Sequence, residues 1–449
     1  MTLPQITKAP CVLVGHGIEA ITSATVLASL GHCVHLYADE TALAQQIQQY
    51  TFEHHLQALW QMYVAKGQIL CKSLPMQPKD VLATYEDDDL EKRTEDKQTE
   101  PALYWLFLDN IASVWQDATW IAAFNRSNQP QCPIVFSGIQ PIGRVAAHAD
   151  ALQRTWVYYV PFVFLQDGEA FGSMLAPALW LLGEKTADSE QKLVPLRALM
   201  QHAHASHTAD IATIEFARSS IMTMLATRVS FMNEMSRLAD GLGVDIDNVG
   251  RIMGLDTRVG SSYLQAGWGF GGHTLPTELA TMQQFARHHG IDTPLLCATD
   301  HINNDQKELI FRKFWQYFDG FIERKTVLIW GGSYKSGSGR TAGSAIHALL
   351  HLLWSYGIKT FVYADKAQAE LADHYAEQPL LTLIDEPYEM LDVQALFIIN
   401  ALSEPLNITR LNSSAMPIFD AQNILSAEEV NALTGDYIGT GRRKDSSAH

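Results

Sequence analysis

The sequence predicts an α/β protein with two Rossmann-like domains, a parallel sheet in each, joined by a long central helix. Three observations carry that reading. A strand–glycine turn–helix–strand unit stands near the start, in Cys11–Val14, Gly15-His16-Gly17, Ile18–Leu30 and Cys33–Tyr37. A second such unit runs through Thr326–Trp330, Gly331-Gly332, Ser344–Tyr356 and Thr360–Tyr363. Between them, Asp210–Leu242 repeats apolar residues at helical spacing. Strand, turn and helix in that order open a doubly wound parallel sheet.

Each element has a local reason. Cys11–Val14 is a short apolar run, and the glycines directly after it supply a tight turn. Gly31 ends the first helix and allows the chain to return as a second strand. Residues 85–100, from Tyr85 to Glu100, hold almost no apolar side chain. They read as a solvated, disordered loop, with a partner-binding segment as the other reading. Strands are expected again at Leu103–Leu108 and Ile134–Phe136. In the long helix, Ile214, Ile221, Leu225, Val229, Met232 and Leu238 fall three or four residues apart and are expected to form its buried stripe. Gly241 and Gly243 are its stop signals. The tail Arg442–His449 is polar and is expected to be frayed. The expected domains are residues 1–205, 206–305 and 306–449.

Composition narrows the class of function. The 449 residues are 47% hydrophobic and 18% charged, a balance that buries a large core without staples. No apolar run reaches the roughly 18 residues of a membrane span. Met1–Pro10 lacks the basic-then-apolar pattern of a signal peptide, so the cytoplasm is the expected compartment. A formal net charge of −17 disfavours nucleic acid and anionic membranes as partners, while leaving room for a local phosphate pocket. Cys11, Cys33, Cys71, Cys132 and Cys297 are far apart and odd in number, without metal spacing. They are expected to be buried free thiols, and no metal site is expected.

Two stretches carry chemistry. Gly15-x-Gly17-x-x-Ala20 has the form of a dinucleotide fingerprint, in which glycines let a pyrophosphate approach backbone amides at a helix start. An acid should follow about 20 residues later to hold the ribose hydroxyls. Asp39 and Glu40 are near that place, but the strand-end position itself is Ala38. The turn therefore either binds a dinucleotide or only packs. No arginine nearby points to a 2′-phosphate. The second stretch holds Ser230-Phe231-Met232-Asn233-Glu234, then Asp256-Thr257-Arg258-Val259-Gly260, then Tyr263 to Glu278 with the glycine run Gly267, Gly269, Gly271 and Gly272.

This second stretch resembles the UDP-glucose/GDP-mannose dehydrogenase family, which writes these segments SFINE, DxRIG and FLxPGxGFGGSCFPKD. The resemblance continues through Phe164-Leu165-Gln166-Asp167-Gly168-Glu169-Ala170, loosely through Ser137 to Gly143, and at Asn303-Asn304-Asp305-Gln306. It extends to Gly331–Ser344, which keeps Lys335, to Phe419-Asp420-Ala421-Gln422-Asn423, and to Ile438–Arg442. It implies NAD as cofactor on Gly15, Gly17, Ala20 and Asp39. It implies a nucleotide sugar, such as a UDP-sugar, on Gly267, Gly269, Gly271, Gly272 and Lys335, and a homodimer through the central helix. Arg258 would reach the sugar nucleotide across that dimer, or would serve there as an interface salt bridge.

In that family a cysteine thiolate attacks an aldehyde intermediate, and oxidation to a thioester precedes release of the acid. The position of that cysteine is Thr274. The family's central-helix lysine is Arg218, its following asparagine is Met222, and the glutamate before FLREG is Val163. The lysine and aspartate of PKD are Thr277 and Glu278. The arginine of DVRES is Ala342, with Arg340 two residues away, and Asp109-Asn110 replaces the family's TP loop. His273 beside Thr274 is a substitute base or an ordinary loop histidine. Two readings follow: a non-catalytic relative that binds a nucleotide sugar or a partner, and an oxidoreductase with altered chemistry. The loss of the thiol favours the first. Binding of NAD is expected to be weak or absent.

Overall fold

The computed structural model describes residues 9–85, 100–163, 165–403 and 406–442. The chain divides into two compact units, residues 1–220 and 221–449.

The first unit is built on an eight-stranded sheet. Its strands are β1 Cys11–Val14, β2 Val34–Ala38, β3 Ile69–Ser73, β4 Leu103–Phe107, β5 Ile134–Ser137, β6 Val157–Tyr159, β7 Trp180–Glu184 and β8 Ser206–Asp210. Their order is β3-β2-β1-β4-β5-β6-β7-β8. Every pair is parallel except β6 with β7, so the expected all-parallel sheet carries one antiparallel step. The inner strands are buried on both faces, which is why they read as unbroken apolar runs. Leu13 lies between Leu36 and Trp105 in register. The order reverses between β1 and β4, which places the Gly15–Gly17 turn at a topological switch point.

The second unit holds a six-stranded parallel sheet: β9 Thr326–Trp330, β10 Lys359–Tyr363, β11 Leu381–Leu383, β12 Ala395–Ile398, β13 Ile418–Asp420 and β14 Tyr437–Gly439. Its order is β11-β10-β9-β12-β13-β14. Trp268, Phe314, Ile329, Phe397 and Phe419 form its core. The same unit includes the helices Ile246–Leu255, Thr274–His288, Pro294–Gln306 and Leu309–Tyr317.

The long helix spans Ile211–Leu242. Asp210 closes β8 and caps the helix, accepting hydrogen bonds from the Thr213 amide and hydroxyl. Gly243 stops it in the left-handed region at φ 71°, where the amides of Gly243 and Val244 both donate to the Ala239 carbonyl. The expected stripe is only partly the buried one. Ile214 and Met232 are buried, but Ile221, Leu225 and Val229 are half-buried and Leu238 is 58% exposed. The buried residues of the helix in the second unit are Met222, Thr223, Ala226, Ser230, Met232, Asn233, Ser236 and Ala239. Small and hydrogen-bonding residues face inward there because that face lies close to other backbone. Ser230 Oγ donates to the Thr299 carbonyl, and Asn233 accepts from the Gly267 amide.

Four other expectations change. Tyr85 is buried, with its hydroxyl 2.5 Å from His35 Nδ1, so it belongs to the core rather than to a solvated loop. Residues 86–99 of that loop lie outside the described residues. Leu108 opens the short helix Leu108–Ile111 instead of ending a strand. Cys71 and Cys297 are exposed, whereas Cys11 and Cys132 are buried as expected. Arg442 is not frayed: its guanidinium donates to the Leu425 carbonyl and pairs with Asp245 at 3.6 Å and Asp247 at 3.4 Å. Residues 443–449 lie outside the described residues. No described helix is long and apolar enough to cross a membrane.

Arg442 is 7% exposed, and its removal would take a charged partner from two carboxylates and a hydrogen bond from the Leu425 carbonyl. Arg442→Ala is expected to lower the unfolding free energy by roughly 2–4 kcal/mol, somewhat below the cost of breaking a fully buried pair. Urea unfolding of the two chains measures it, and an unchanged midpoint would show that the network adds nothing.

Candidate functional site

The first unit offers the glycine turn. Gly15 admits no side chain: an added β-carbon would stand 2.8 Å from Phe107 Cβ and 2.9 Å from Asn110 Oδ1. Gly17 is the N-cap of the helix Ile18–Ser29 and has no side chain to satisfy that helix's first amides. Asn110, on the short helix after β4, does part of that work. Its Oδ1 accepts hydrogen bonds from the His16 amide at 3.0 Å and the Gly17 amide at 2.8 Å. Ala20 is fully buried, and its small size allows the helix to pack closely on the sheet.

Acidic groups surround this turn. Asp39 is exposed and caps the helix Glu40–Gln49, accepting from the Ala42 amide at 2.8 Å. Asp109 sits so close over Gly138 that no β-carbon fits there. The His16 imidazole is pushed below its usual pKa by burial, against the opposing pull of Asp39 and Asp109. The Glu19 carboxyl is pushed up to about 8, first by burial and then by the charge of Asp109, while Arg218 pulls it down. Arg218 is buried, faces Glu19 and hydrogen-bonds Tyr159. One turn earlier on its helix, Glu215 accepts from the Val145 and Ala146 amides. Arg218 is therefore held inside this unit between Glu19 and Tyr159.

The second unit offers the glycine loop. Gly269 is at φ 112° and Gly272 at φ 75°, and an added β-carbon at either would run into Asn303 or Tyr334. Gly271 lies against the backbone of Gly343, 2.5 Å from its carbonyl oxygen to an ideal β-carbon. Side-chain amides hold the loop. Asn303 Oδ1 accepts from the Phe270 amide at 2.7 Å, and its Nδ2 donates to the Phe270 carbonyl at 3.1 Å. Asn233 Oδ1 accepts from the Gly267 amide at 2.9 Å, and Gln306 Nε2 donates to the Gly267 carbonyl at 2.8 Å. Arg237 then fixes the Gln306 carbonyl oxygen at 2.8 and 3.0 Å. The Gly272 amide donates to the Ala342 carbonyl, which ties the loop to the segment that carries Lys335.

Thr274 follows as the first residue of the helix Thr274–His288, half-buried. His273 is exposed, and its Nδ1 lies 3.5 Å from Thr277 Oγ1, one turn along the helix. Glu278 is buried on the next turn. The structure therefore gathers Gly267, Gly269, Gly271, Gly272, His273, Thr274 and Glu278 in one loop–helix segment, with the Tyr334 ring beside Gly272. Lys335 is exposed on the neighbouring loop. Arg258 is 87% exposed and pairs with Asp256 at 2.6 Å within its own turn. The described residues hold no cluster of side chains suited to a metal.

Sequence reasoning named Asn233, Asn303, Gln306 and Asn110 as motif positions but gave them no work. Their chemistry was the available signal, since each is a carboxamide in a motif segment, but the loop or turn each one holds lies 33 to 94 positions away. Glu19 and Tyr334 carried no signal beyond their position in glycine-containing segments.

Residues 212–305 match the model of the UDP-glucose/GDP-mannose dehydrogenase family, central domain. The UDP-glucose 6-dehydrogenase of Pseudomonas aeruginosa is 30% identical over 288 residues, 62% of this chain and 64% of that protein. That of Rickettsia bellii is 28% identical over 287 residues, 62% of this chain and 66% of its own. The chain thus matches just under two thirds of the length of these relatives. A solved UDP-glucose dehydrogenase from Pyrobaculum islandicum superposes with a TM-score of 0.77 at 19% identity, covering 98% of this chain and 99% of that one. A UDP-D-ManNAc dehydrogenase from Pyrococcus horikoshii gives 0.73 at 15% identity, over 97% and 100%. These likenesses speak for the fold.

The Glu19 environment has a consequence for stability. Its pKa rises from 4.5 to about 8 on folding, so the folded chain holds that proton more tightly than the unfolded one. This contribution is complete below the unfolded value and is lost as pH rises from about 4.5 to about 8. Glu19→Gln is expected to raise the melting of the first unit, residues 1–220, by ~2–4 °C or more at the alkaline end of that window, a shift worth about 1 kcal/mol or more in a unit of that size, and to melt alongside the native chain at the acid end. Melting curves across the window check this, and a pH-independent difference would refute it.

Proposed function

We infer that this chain, which belongs to the UDP-glucose/GDP-mannose dehydrogenase family, is a UDP-glucose 6-dehydrogenase-like protein of nucleotide-sugar metabolism whose oxidative chemistry is impaired. The observation that carries the reading is Thr274. It follows a loop built for close backbone approach and begins a helix, where a nucleophile would be exposed and supported by the helix dipole. A thiol there is partly ionised near neutral pH and strongly nucleophilic. A threonine hydroxyl must lose its proton as it attacks and needs a base beside it. His273, its neighbour in sequence, lies against Thr277. Arg218, at the position the resemblance gives to a lysine, carries a guanidinium, which is not a general base, and is engaged with Glu19 and Tyr159.

The retained backbone supports binding in place of turnover. The loop at Gly267, Gly269, Gly271 and Gly272 and the loop at Lys335 are tied together by the hydrogen bond from Gly272 to Ala342 and the close approach of Gly271 to Gly343, and we assign them to a nucleotide sugar. We further assign residues 1–205 to a dinucleotide-type domain, 206–305 to helical dimerisation and 306–449 to the sugar-nucleotide side. Met224, Phe231 and Leu238 recur every seven residues on the long helix, at 61%, 44% and 58% exposure. A seam of that period is the pattern one helix offers to a second copy.

Two measurements test this reading. NADH absorbance with a panel of nucleotide sugars is expected to show no turnover by the native chain or by Thr274→Cys, because Arg218, Met222 and Val163 remain. Steady NADH production lost on His273→Ala would sink the impaired reading and establish His273 as a base. Light scattering at micromolar concentration is expected to give a dimer, and Phe231→Glu with Leu238→Glu a monomer. A native monomer would remove the seam from the proposal.

A further inference from the structure

The first unit's glycine turn does not fit the cofactor that the family resemblance implies. A glycine turn at a sheet's switch point takes a pyrophosphate on its backbone amides, at the positive end of the following helix. Here the His16 and Gly17 amides already have a partner. Asn110 Oδ1 accepts from both, at 3.0 and 2.8 Å. The same oxygen stands 2.9 Å and 3.1 Å from the ideal β-carbon positions of Gly15 and Gly17, so it fills the concavity that the two glycines leave. Charge acts the same way. Asp39 and Asp109 both bear on His16, and Asp109 bears on Glu19, so an incoming anion meets acidic groups around the turn.

We propose that Asn110 is an internal anion surrogate: its carboxamide oxygen takes the place of a pyrophosphate oxygen on the His16 and Gly17 amides and keeps the turn closed to dinucleotides. Amide oxygen and phosphate oxygen ask the same of the turn, an acceptor in line with two N–H groups. The amide meets that need without a net charge, which suits an acidic surrounding. A dinucleotide binds only the fraction of molecules in which Asn110 has swung away, and its apparent affinity falls by that fraction. Swinging Asn110 away exchanges two ordinary hydrogen bonds, which corresponds to a loss of roughly 10- to 100-fold. The turn keeps its glycines under this arrangement because Asn110 needs the space they leave.

This inference rests on the family reading above, and its test is separate from the turnover assay. Calorimetry is run with NAD and with ADP, each against the full native chain, Asn110→Ala and Asn110→Ser. The expected result is at least ~10-fold tighter binding of both ligands by the two variants than by the native chain. Equal affinity across the three chains overturns the proposal, whether that affinity is high or absent, and leaves the nucleotide-sugar reading to its own assay. Amide hydrogen exchange guards against a variant that folds poorly. In the native chain without ligand, His16 and Gly17 are expected to be protected, and in Asn110→Ser that protection is expected to drop. Fast exchange at both amides in the native chain would also overturn the proposal.

Discussion

A glycine run lets backbones approach each other closely, and the peptide groups it brings inside must then find partners. The rest of this structure depends on how that requirement is met. Buried N–H and C=O groups are paired almost without exception, and glycine has no side chain to help. Carboxamides carried by neighbouring helices do the work here. Asn303, Asn233 and Gln306 hold the loop from Gly267 to Phe270, and Asn110 holds the turn at His16 and Gly17. Asn233 and Asn303 are themselves nearly inaccessible to solvent, so each sits where a wrong residue would cost both its own contacts and those of the loop.

That separation between backbone architecture and side-chain chemistry explains a pattern that would otherwise look contradictory. On the reading proposed above, the motif glycines remain, while the positions that the resemblance gives to a thiol, lysine, asparagine and glutamate hold Thr274, Arg218, Met222 and Val163. The glycines answer to packing: at Gly269 or Gly272 any side chain would collide with Asn303 or Tyr334 in a backbone region that disfavours it. The loop must therefore stay as it is for the second unit to fold, whatever happens to Thr274. Arg218 shows the converse. It is locked between a half-buried acid and a buried tyrosine, a structural employment that a proton-shuttling lysine could not fill with the same permanence.

How much of this was legible in the sequence follows from the same distinction. The strand–turn–helix–strand unit that opens each sheet, two further strands of the first sheet and the ends of the long helix were readable, because they rest on apolar runs, glycine stops and an acidic residue at the helix start; the remaining strands, such as Ile69–Ser73, Trp180–Glu184 and Ile418–Asp420, were not. The inward face of that helix was not. Periodicity finds the helix, but Leu238 and Asn233 satisfy it equally, and the buried one is the asparagine, because a glycine loop lies against it. Arg442 and Tyr85 were misread for a related reason. A polar residue at the edge of a charged stretch reads as solvated unless its partner is known, and the partners Asp247 and His35 are 195 and 50 residues away. The glycine loop was legible as a motif, whereas the hydrogen bonds that hold it join residues 33 to 39 positions apart.

The two carboxamide attachments differ in kind, and the difference assigns them different roles. Asn303 grips Phe270 with both ends of its amide, oxygen to N–H and nitrogen to C=O. Gly267 is gripped from two side chains at once, and Arg237 braces one of them. Releasing that loop means breaking several bonds among buried groups together, so it behaves as part of the core. Asn110 holds the turn through its oxygen alone, from a half-buried position on a four-residue helix. Turning one side chain exchanges both of its bonds for water or for another acceptor, at a net cost near that of one or two ordinary hydrogen bonds, ~1–3 kcal/mol. The second unit's loop is therefore a fixed part of the fold, and the first unit's turn is held by a latch that one side chain can open.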